Sequence, residues 1–137
     1  TDPKMTRFWI SLAQTNDLVK FALENMEGGE IFIPKIPSMS VGELVNILAP
    51  KATTKIIGLR PGEKMHEVLV TDQEARHTID LGKYYVIMPE FPFWDRDLYK
   101  KYRKKGKRVE NEFCYASDTN KSHLSAAELK KIYSLHT

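Results

Sequence analysis

The sequence predicts one α/β domain, and three observations indicate this. Segments of strand length alternate with segments of helical periodicity through the first half of the chain. Capping boxes of the type Ser-x-x-Gln/Glu, which begin helices, occur three times. The length of 137 residues and the 42% hydrophobic content suit one core and are too small for two comfortable domains. We therefore expect a single domain over residues 1–137.

The amino-terminal segment predicts a strand, a helix and a second strand. Residues 6–10 predict a short strand, and Ser11 with Gln14 then begins a helix that continues until Gly28-Gly29. Residues 30–34 are β-branched and aromatic, and are followed by a proline-containing extended loop.

The next capping box is Ser40 with Glu43, which predicts a helix that ends at Pro50. Residues 55–59 are then expected to form a strand, and residues 63–69 a helix. The resulting order of strands and helices is typical of α/β proteins, in which ligands often bind where a strand leads into a helix.

The second half of the chain gives weaker signals. Residues 83–87 predict a strand, and residues 89–94 an aromatic, proline-rich loop. We expect residues 88–124 to be a less regular tail segment. A third capping box at Ser125 predicts a terminal helix over residues 125–136.

Charge is distributed unevenly. The net charge is +3, yet residues 96–108 hold eight Lys and Arg against Asp97, a local +7, so the remainder is 3 − 7 = −4. A chain that is acidic outside one run, without an RNA-binding motif, is not typical of nucleic-acid binders, and we expect no nucleic-acid partner. The given sequence contains no stretch with the pattern of a signal peptide or membrane segment, and we expect a cytoplasmic protein.

The sequence indicates neither a metal-binding site nor a catalytic nucleophile. No pair among the four His has metal-ligand spacing. The single cysteine, Cys114, lies between Phe113 and Tyr115 and is expected to be a buried, inert thiol. His66 could act as an acid or base, but a structural role is the better interpretation.

The segment Arg60-Pro61-Gly62-Glu63 is the clearest candidate binding motif. Pro-Gly favours a type I or II turn, and an Arg before a helix amino terminus could hold a phosphate. Arg7, on the first predicted strand, could supply a second guanidinium group, and two such groups suit a diphosphate. The motif alone is also compatible with an ordinary surface turn.

Four blocks of sequence together resemble a known family. They lie in order within residues 1–10, 28–39, 60–67 and 115–120. They are similar to the carboxyl-terminal part of UDP-N-acetylglucosamine 4,6-dehydratases, in particular the inverting enzymes of pseudaminic acid and polysaccharide biosynthesis. The family's fold is an extended short-chain dehydrogenase. The resemblance therefore implies that this chain is the α/β substrate-binding portion and that the Rossmann domain is missing.

The resemblance also implies partners and a cofactor. UDP-N-acetylglucosamine would be the substrate, and NADP would be bound by the amino-terminal Rossmann domain of a longer parent, often a homo-oligomer. The sequence contains no Gly-x-Gly-x-x-Gly, and no Tyr is followed four positions later by Lys. We therefore expect no cofactor, metal or catalytic residue in this chain, and no dehydratase activity from it alone.

Site residues follow from matching positions in the family. The resemblance implies that Arg60 binds the UDP diphosphate, that Arg7 assists it, and that Glu63 accepts hydrogen bonds from the ribose hydroxyls. Further candidates for the nucleotide pocket are Thr6, Lys35, Ser38, Met39 and Tyr115.

Two alternative functions stay open at this stage. The chain could be the substrate domain of a nucleotide-sugar epimerase, which uses a similar substrate half. It could also be a non-catalytic interaction module that contacts an acidic partner or nucleic acid through the basic run 96–108, and such binding would fall steeply with salt.

Overall fold

A computed structural model describes residues 2–91 and 98–134, and its contacts divide the chain into two units. Unit 1 comprises Thr1–Ser11, Ile36–Val68 and Ala116–Thr137, and unit 2 comprises Leu12–Lys35 and Leu69–Tyr115. The elements are, in order, β1 Thr6–Phe8, α1 Leu12–Asn25, β2 Ile31–Pro34, β3 Ser38–Ser40, α2 Val41–Leu48, β4 Val68–Val70, α3 Asp72–Ala75, β5 Thr78–Asp80, β6 Tyr84–Ile87, α4 Leu98–Lys105, β7 Lys107–Arg108, β8 Tyr115–Ala116 and α5 Ala126–Ser134.

Unit 1 is built on the antiparallel pair of β1 and β3, in which Arg7 lies opposite Met39. The β3 strand leads directly into α2, because Ser40 accepts the amide of Glu43 while the Glu43 carboxylate accepts the amide of Ser40. The core of this unit consists of the following side chains from β3, α2, α5, the residue after β1 and the segment before α5: Met39, Leu124 and Leu129, with Trp9, Leu44, Ile47 and Ile132 packed against them.

Unit 2 contains a four-stranded sheet in the order β2-β6-β5-β7, and each of its pairs is antiparallel. Every residue of β6 is buried, as expected of a central strand. The buried core consists of Ile79, Val86, Met88 and Tyr102. Strands β4 and β8 form a separate two-stranded sheet.

Helix α4 supplies the partners for the carboxyl end of α1. The carbonyl oxygen of Asn25 accepts from Lys101 Nζ at 2.6 Å, and Lys105 Nζ lies 3.1 Å from the Asn25 side-chain oxygen. Lys101 also forms a 2.6 Å ion pair with Glu27. Part of the basic run is therefore used within unit 2, where cations near a helix carboxyl terminus are favourable.

Several sequence predictions are confirmed. Strands occur within the predicted segments 6–10, 30–34 and 83–87. Helices begin after Ser11, Ser40 and Ser125, the three predicted caps. The segment 88–124, predicted to be less regular, contains α4, β7 and β8. The aromatic loop falls partly on residues 92–97, which lie outside the described residues.

The predicted strand over residues 55–59 is wrong, because the structure assigns no strand there. The large side chains of Ile56, Ile57 and Leu59 are exposed. A strand forms only when a neighbouring strand pairs with it, and the described residues supply no partner at this position.

The predicted helix over residues 63–69 is also wrong, since its backbone groups bond elsewhere. The Met65 carbonyl accepts the Thr6 amide at 3.0 Å. The Glu67 amide donates to Ser117 Oγ at 2.9 Å, and the Glu67 carbonyl accepts the Ser117 amide at 2.8 Å. These contacts replace the bonds that a helix would need. The expected phosphate site at a helix amino terminus is therefore absent from this segment.

Candidate functional site

The candidate motif forms a tight turn in unit 1. The Glu63 amide donates to the Arg60 carbonyl at 2.9 Å, and the Arg60 amide donates back to a Glu63 carboxylate oxygen at 3.0 Å. Gly62 has a φ of 80°, which the third position of a type II turn requires and which glycine adopts without steric cost. Pro61 fits the second position of such a turn. The predicted turn is confirmed.

Arg7 holds the segment that follows this turn. Its Nη1 atom donates to the carbonyl oxygens of Thr6 at 2.7 Å and Met65 at 3.2 Å, and Nη2 donates to the carbonyl of Lys64 at 3.0 Å. Glu63 and Glu67 provide carboxylate oxygens at 3.9 and 3.6 Å. Most of the guanidinium donors are thus engaged by the protein itself, so the geometry favours Arg7 as an anchor of the turn.

Arg60 differs from Arg7 in its surroundings. Its side chain is exposed, and within the described residues it makes no hydrogen bond or ion pair. The five donors of its guanidinium group are therefore unused by the described residues, and the planar shape of this group suits a phosphate. Arg7 and Arg60 are not equivalent arms of a clamp: one fixes the turn, and the other extends from it.

A hydrogen-bonded chain of side chains lies beside the Arg7 anchor. Thr6 Oγ1 is 2.8 Å from His66 Nδ1 and 2.6 Å from Ser117 Oγ. Ser117 is almost completely buried, at 1% exposure, and its hydroxyl also accepts the Glu67 amide. The structure therefore gives His66 the expected structural role, and it engages the Thr6 hydroxyl within the protein.

Ser38 and Met39 are buried in unit 1. Met39 belongs to the core, and the Ser38 backbone bonds to Ser122 and Leu124 on the far side of β3. The hydroxyl oxygen of Ser38 has no hydrogen-bond partner among the described residues. Neither side chain is exposed enough in this structure to line an open nucleotide pocket.

Lys35 and Tyr115 belong to unit 2 and meet at Tyr85. Lys35 Nζ forms a 2.6 Å ion pair with Asp80 and lies 4.5 Å from the centre of the Tyr85 ring. The Tyr115 ring packs against Tyr85 at 5.2 Å between ring centres. Burial, followed by the Asp80 charge, raises the pKa of Tyr85. The charge of Lys35 is thus already balanced within the protein.

The thiol of Cys114 is exposed, so the prediction of a buried cysteine is wrong. The reason is the alternation of side chains in extended backbone. Phe113 and Tyr115 both direct their rings at Tyr85, with ring centres 5.1 and 5.2 Å apart, and the residue between them points the other way.

One cavity in unit 1, of about 290 Å³, lies away from the turn. Its lining comes from the segment before β1, helix α2 and the segment after α2: Pro3, Val41, Gly42, Val45, Asn46, Thr54, Lys55 and Ile56. It includes none of the predicted site residues.

Residues 2–91 and 98–134 contain neither a metal-binding cluster nor a membrane-spanning helix. In this part of the chain, no group of three or more His, Cys, Asp or Glu side chains could hold a metal ion. The same residues include no helix that is long and apolar enough to span a membrane.

Comparison with known proteins shows strong similarity to sugar-nucleotide enzymes. The chain is 46% identical to the UDP-N-acetylglucosamine 4,6-dehydratase (inverting) of Campylobacter jejuni subsp. jejuni serotype O:2, over 96% of this chain and 40% of that protein. It is 38% identical to the UDP-glucose 4-epimerase of Rickettsia akari, over 96% of this chain and 39% of that protein. The chain thus spans about 40% of the length of the curated relatives that it matches.

A solved structure and a family both match. The X-ray structure of Pen from Bacillus thuringiensis superposes with a TM-score of 0.78 and 29% identity, over 99% of this chain and 40% of that chain. This match confirms the predicted α/β fold class, with the chain corresponding to a portion of a longer fold. The family described as "Polysaccharide biosynthesis protein" matches residues 1–89. The chain therefore belongs to the polysaccharide biosynthesis protein family.

Proposed function

We propose that this chain is the nucleotide-sugar-binding portion of a UDP-N-acetylglucosamine 4,6-dehydratase of the inverting type. The greater identity to the dehydratase, 46% against 38% for the epimerase, supports this choice. The structural observation on which the proposal depends is the Arg60 turn. It combines an exposed guanidinium group with a backbone that Arg7 and Glu63 hold in place.

The residues have different roles in this proposal. Arg60 binds the diphosphate of UDP through paired N–H donors. Glu63 accepts hydrogen bonds from the ribose hydroxyls. The Arg60 amide occupies only one acceptor position of its carboxylate, so others remain for the ribose. Arg7 positions the turn. Because nucleotide contacts fix the sugar relative to the reacting groups, such binding contributes to catalysis at a distance.

The remaining predicted residues contribute less directly. Thr6 supports the turn through His66 and Ser117, while Ser38 and Met39 form the base on which β1 lies. In unit 2, Lys35 and Tyr115 remain candidates for the nucleotide pocket, provided that Lys35 leaves Asp80 on binding.

The rest of the catalytic apparatus belongs, in this proposal, to a longer protein. NADP would supply the hydride acceptor and donor of the dehydratase. The sequence contains no glycine-rich dinucleotide motif, so this chain's own residues do not fit NADP, and none is assigned to it. We further propose a cytoplasmic homo-oligomer, in which an amino-terminal Rossmann domain binds NADP and this chain alone is inactive.

The role of Arg60 is tested in the intact protein by measuring UDP affinity. We expect Arg60→Ala to weaken binding by roughly 10- to 100-fold, because a charged hydrogen-bonding group is lost. Arg60→Lys should retain only part of the UDP affinity, since an ammonium group lacks the paired, coplanar N–H donors of a guanidinium group. Lys64→Ala is the matched control, as this neighbouring side chain is also exposed. Unchanged affinity in Arg60→Ala would contradict the proposal.

Activity and its absence are tested by product analysis. The intact protein, supplied with UDP-N-acetylglucosamine and NADP, should yield a 4-keto-6-deoxy sugar nucleotide, whereas this chain alone should yield none. Turnover by the isolated chain would contradict its assignment as a binding portion. An intact protein that instead produced the 4-epimer would favour the epimerase function, to which the 38% identity points.

A further inference from the structure

Unit 2 contains a cavity that the proposed function does not use. It measures about 180 Å³, and three arginines and a histidine contribute to its wall. The described residues that line it are Arg76, His77, Thr78, Ile79, Arg103 and Arg108. None of these described residues is Asp or Glu.

The three arginines come from three different elements. Arg76 is the carboxyl-terminal cap of α3, Arg103 lies on α4, and Arg108 lies on β7. Because β7 pairs with β5, Arg108 stands opposite Ile79. The tertiary fold, and not a local run of like charges, therefore brings these guanidinium groups to one concave surface.

The available donors can be identified for two of the arginines. Arg76 Nε donates to the Gln73 carbonyl at 3.2 Å, which leaves both Nη groups without a partner among the described residues. Arg108 makes no side-chain hydrogen bond or ion pair in the same part of the chain. Positive charges that converge on one surface repel one another, so an anion that binds between the Arg76 and Arg108 guanidinium groups relieves this repulsion.

A wider neighbouring cavity has acidic residues in its wall. That second cavity, of about 750 Å³, shares Arg76 and Arg108 with the first and adds Asp72 and Glu112 to its wall. Neither acid forms an ion pair with these arginines within 4.0 Å. Gln73 and Asn111 also line it and offer amide groups that can bind hydroxyls.

We propose that the Arg76–Arg103–Arg108 cavity binds the phosphate group of a small phosphorylated ligand, at a site separate from the Arg60 turn. Arginine is suited to this ligand because its fork donates two parallel hydrogen bonds to phosphate. The small cavity takes the phosphate, and the amide-lined wider cavity takes the organic part of the ligand. The proposal does not depend on the proposed function.

The test measures the binding of inorganic pyrophosphate to the intact protein by calorimetry at constant ionic strength. We expect saturable binding that Arg76→Gln and Arg108→Gln each weaken by about tenfold or more. Arg108→Lys retains the positive charge but lacks the paired N–H donors, so it should bind with intermediate affinity. Measurable binding by this variant shows that a substitution at position 108 leaves the site folded. Lys104→Gln is the control, since it removes a neighbouring exposed charge from α4.

Other results would overturn the proposal. No saturable binding, or equal affinity in the parent and both arginine variants, would exclude a site in this cavity. Equal weakening by Lys104→Gln would show diffuse charge attraction. If Arg60→Gln abolished pyrophosphate binding while Arg108→Gln preserved it, the anion would bind at the Arg60 turn; that result would leave the proposed function standing.

Discussion

The Tyr102 hydroxyl donates a hydrogen bond to a carboxylate oxygen of Glu30, with 2.8 Å between the two oxygen atoms. The Tyr102 side chain is fully buried, and its oxygen also lies 2.9 Å from the carbonyl oxygen of Asn25, the last residue of α1. Burial raises the pKa of Tyr102, and the hydrogen bond that it donates to Glu30 and the negative charge of that carboxylate raise it further, so the hydroxyl stays protonated. This pair connects the basic helix α4 to the loop that joins α1 to β2.

Removing the Tyr102 hydroxyl should destabilise the protein. We expect Tyr102→Phe to lower the free energy of unfolding by about 1–3 kcal/mol, because the Glu30 carboxylate loses a buried donor. Tyr84→Phe is the matched control, since Tyr84 is also buried but its hydroxyl makes no hydrogen bond in the described part of the chain. Urea denaturation measures both variants, and equal losses would contradict a specific role for the hydroxyl.

Stability should fall in acid partly through Glu30. Burial raises the pKa of Glu30, but the amides of Glu27, Glu30 and Gly28 and the Tyr102 hydroxyl together outweigh it and lower this pKa below 4.5. A lowered pKa in the folded state contributes stability that is fully present above the unfolded value and is lost as pH falls through the folded value.

Glu30→Gln tests this linkage. The variant should be less stable near neutral pH, and its free energy of unfolding should fall less steeply than the parent's between about pH 5 and pH 3. Glu24→Gln, on the exposed face of α1, should follow the parent curve. Parallel curves for the parent and Glu30→Gln would show that Glu30 is not responsible for the acid sensitivity.

The parts of the fold that depend on local interactions were predictable from the sequence. The boxes at Ser40 and Ser125 form as expected, because both partners lie within one helical turn. Thr71 and Glu74 have the same spacing and form a box that the sequence analysis did not identify. The helix that they begin has only four residues, too few to show a helical period.

The candidate site combines a predictable turn with unpredictable supports. Pro61 and Gly62 indicate the turn by themselves. The hydrogen bond from Arg7 to the Lys64 carbonyl joins residues 57 positions apart. The hydrogen bond between the Thr6 and Ser117 hydroxyls joins residues 111 positions apart. Periodicity and propensity describe only neighbouring residues, so they could not show that these contacts replace the predicted helix.

Arg7 should be needed for the order of the turn, and not only for its charge. We expect Arg7→Lys to increase the rate of hydrogen exchange at the amides of residues 63–67 by roughly tenfold. The two Nη groups of Arg7 donate to the carbonyls of Lys64 and Met65 at the same time, and a single ammonium group does not replace both. Lys4→Arg is the control, because Lys4 is a nearby cation whose side chain is exposed. Unchanged protection in Arg7→Lys would show that the backbone contacts of β1 suffice.

Gly106 should tolerate no side chain. It joins α4 to β7, and a Cβ atom at this position would collide with the carbonyl oxygen of Asp80 and with the Leu81 side chain. Because Asp80 belongs to β5, the pairing partner of β7, the carbonyl cannot move without breaking the sheet. We expect Gly106→Ala to cost about 2–4 kcal/mol of unfolding free energy.

The matched control for Gly106 is Gly58→Ala. A Cβ at Gly58 meets nothing within 4 Å, but the residue has a φ of 73°, so alanine there costs about 1 kcal/mol through backbone conformation alone. Thermal or urea unfolding compares the two variants. If the two variants lost equal stability, the close approach between the α4–β7 junction and β5 would not be a determinant of the fold. This contact could then not be what holds Arg103 on α4 and Arg108 on β7 in position around their cavity.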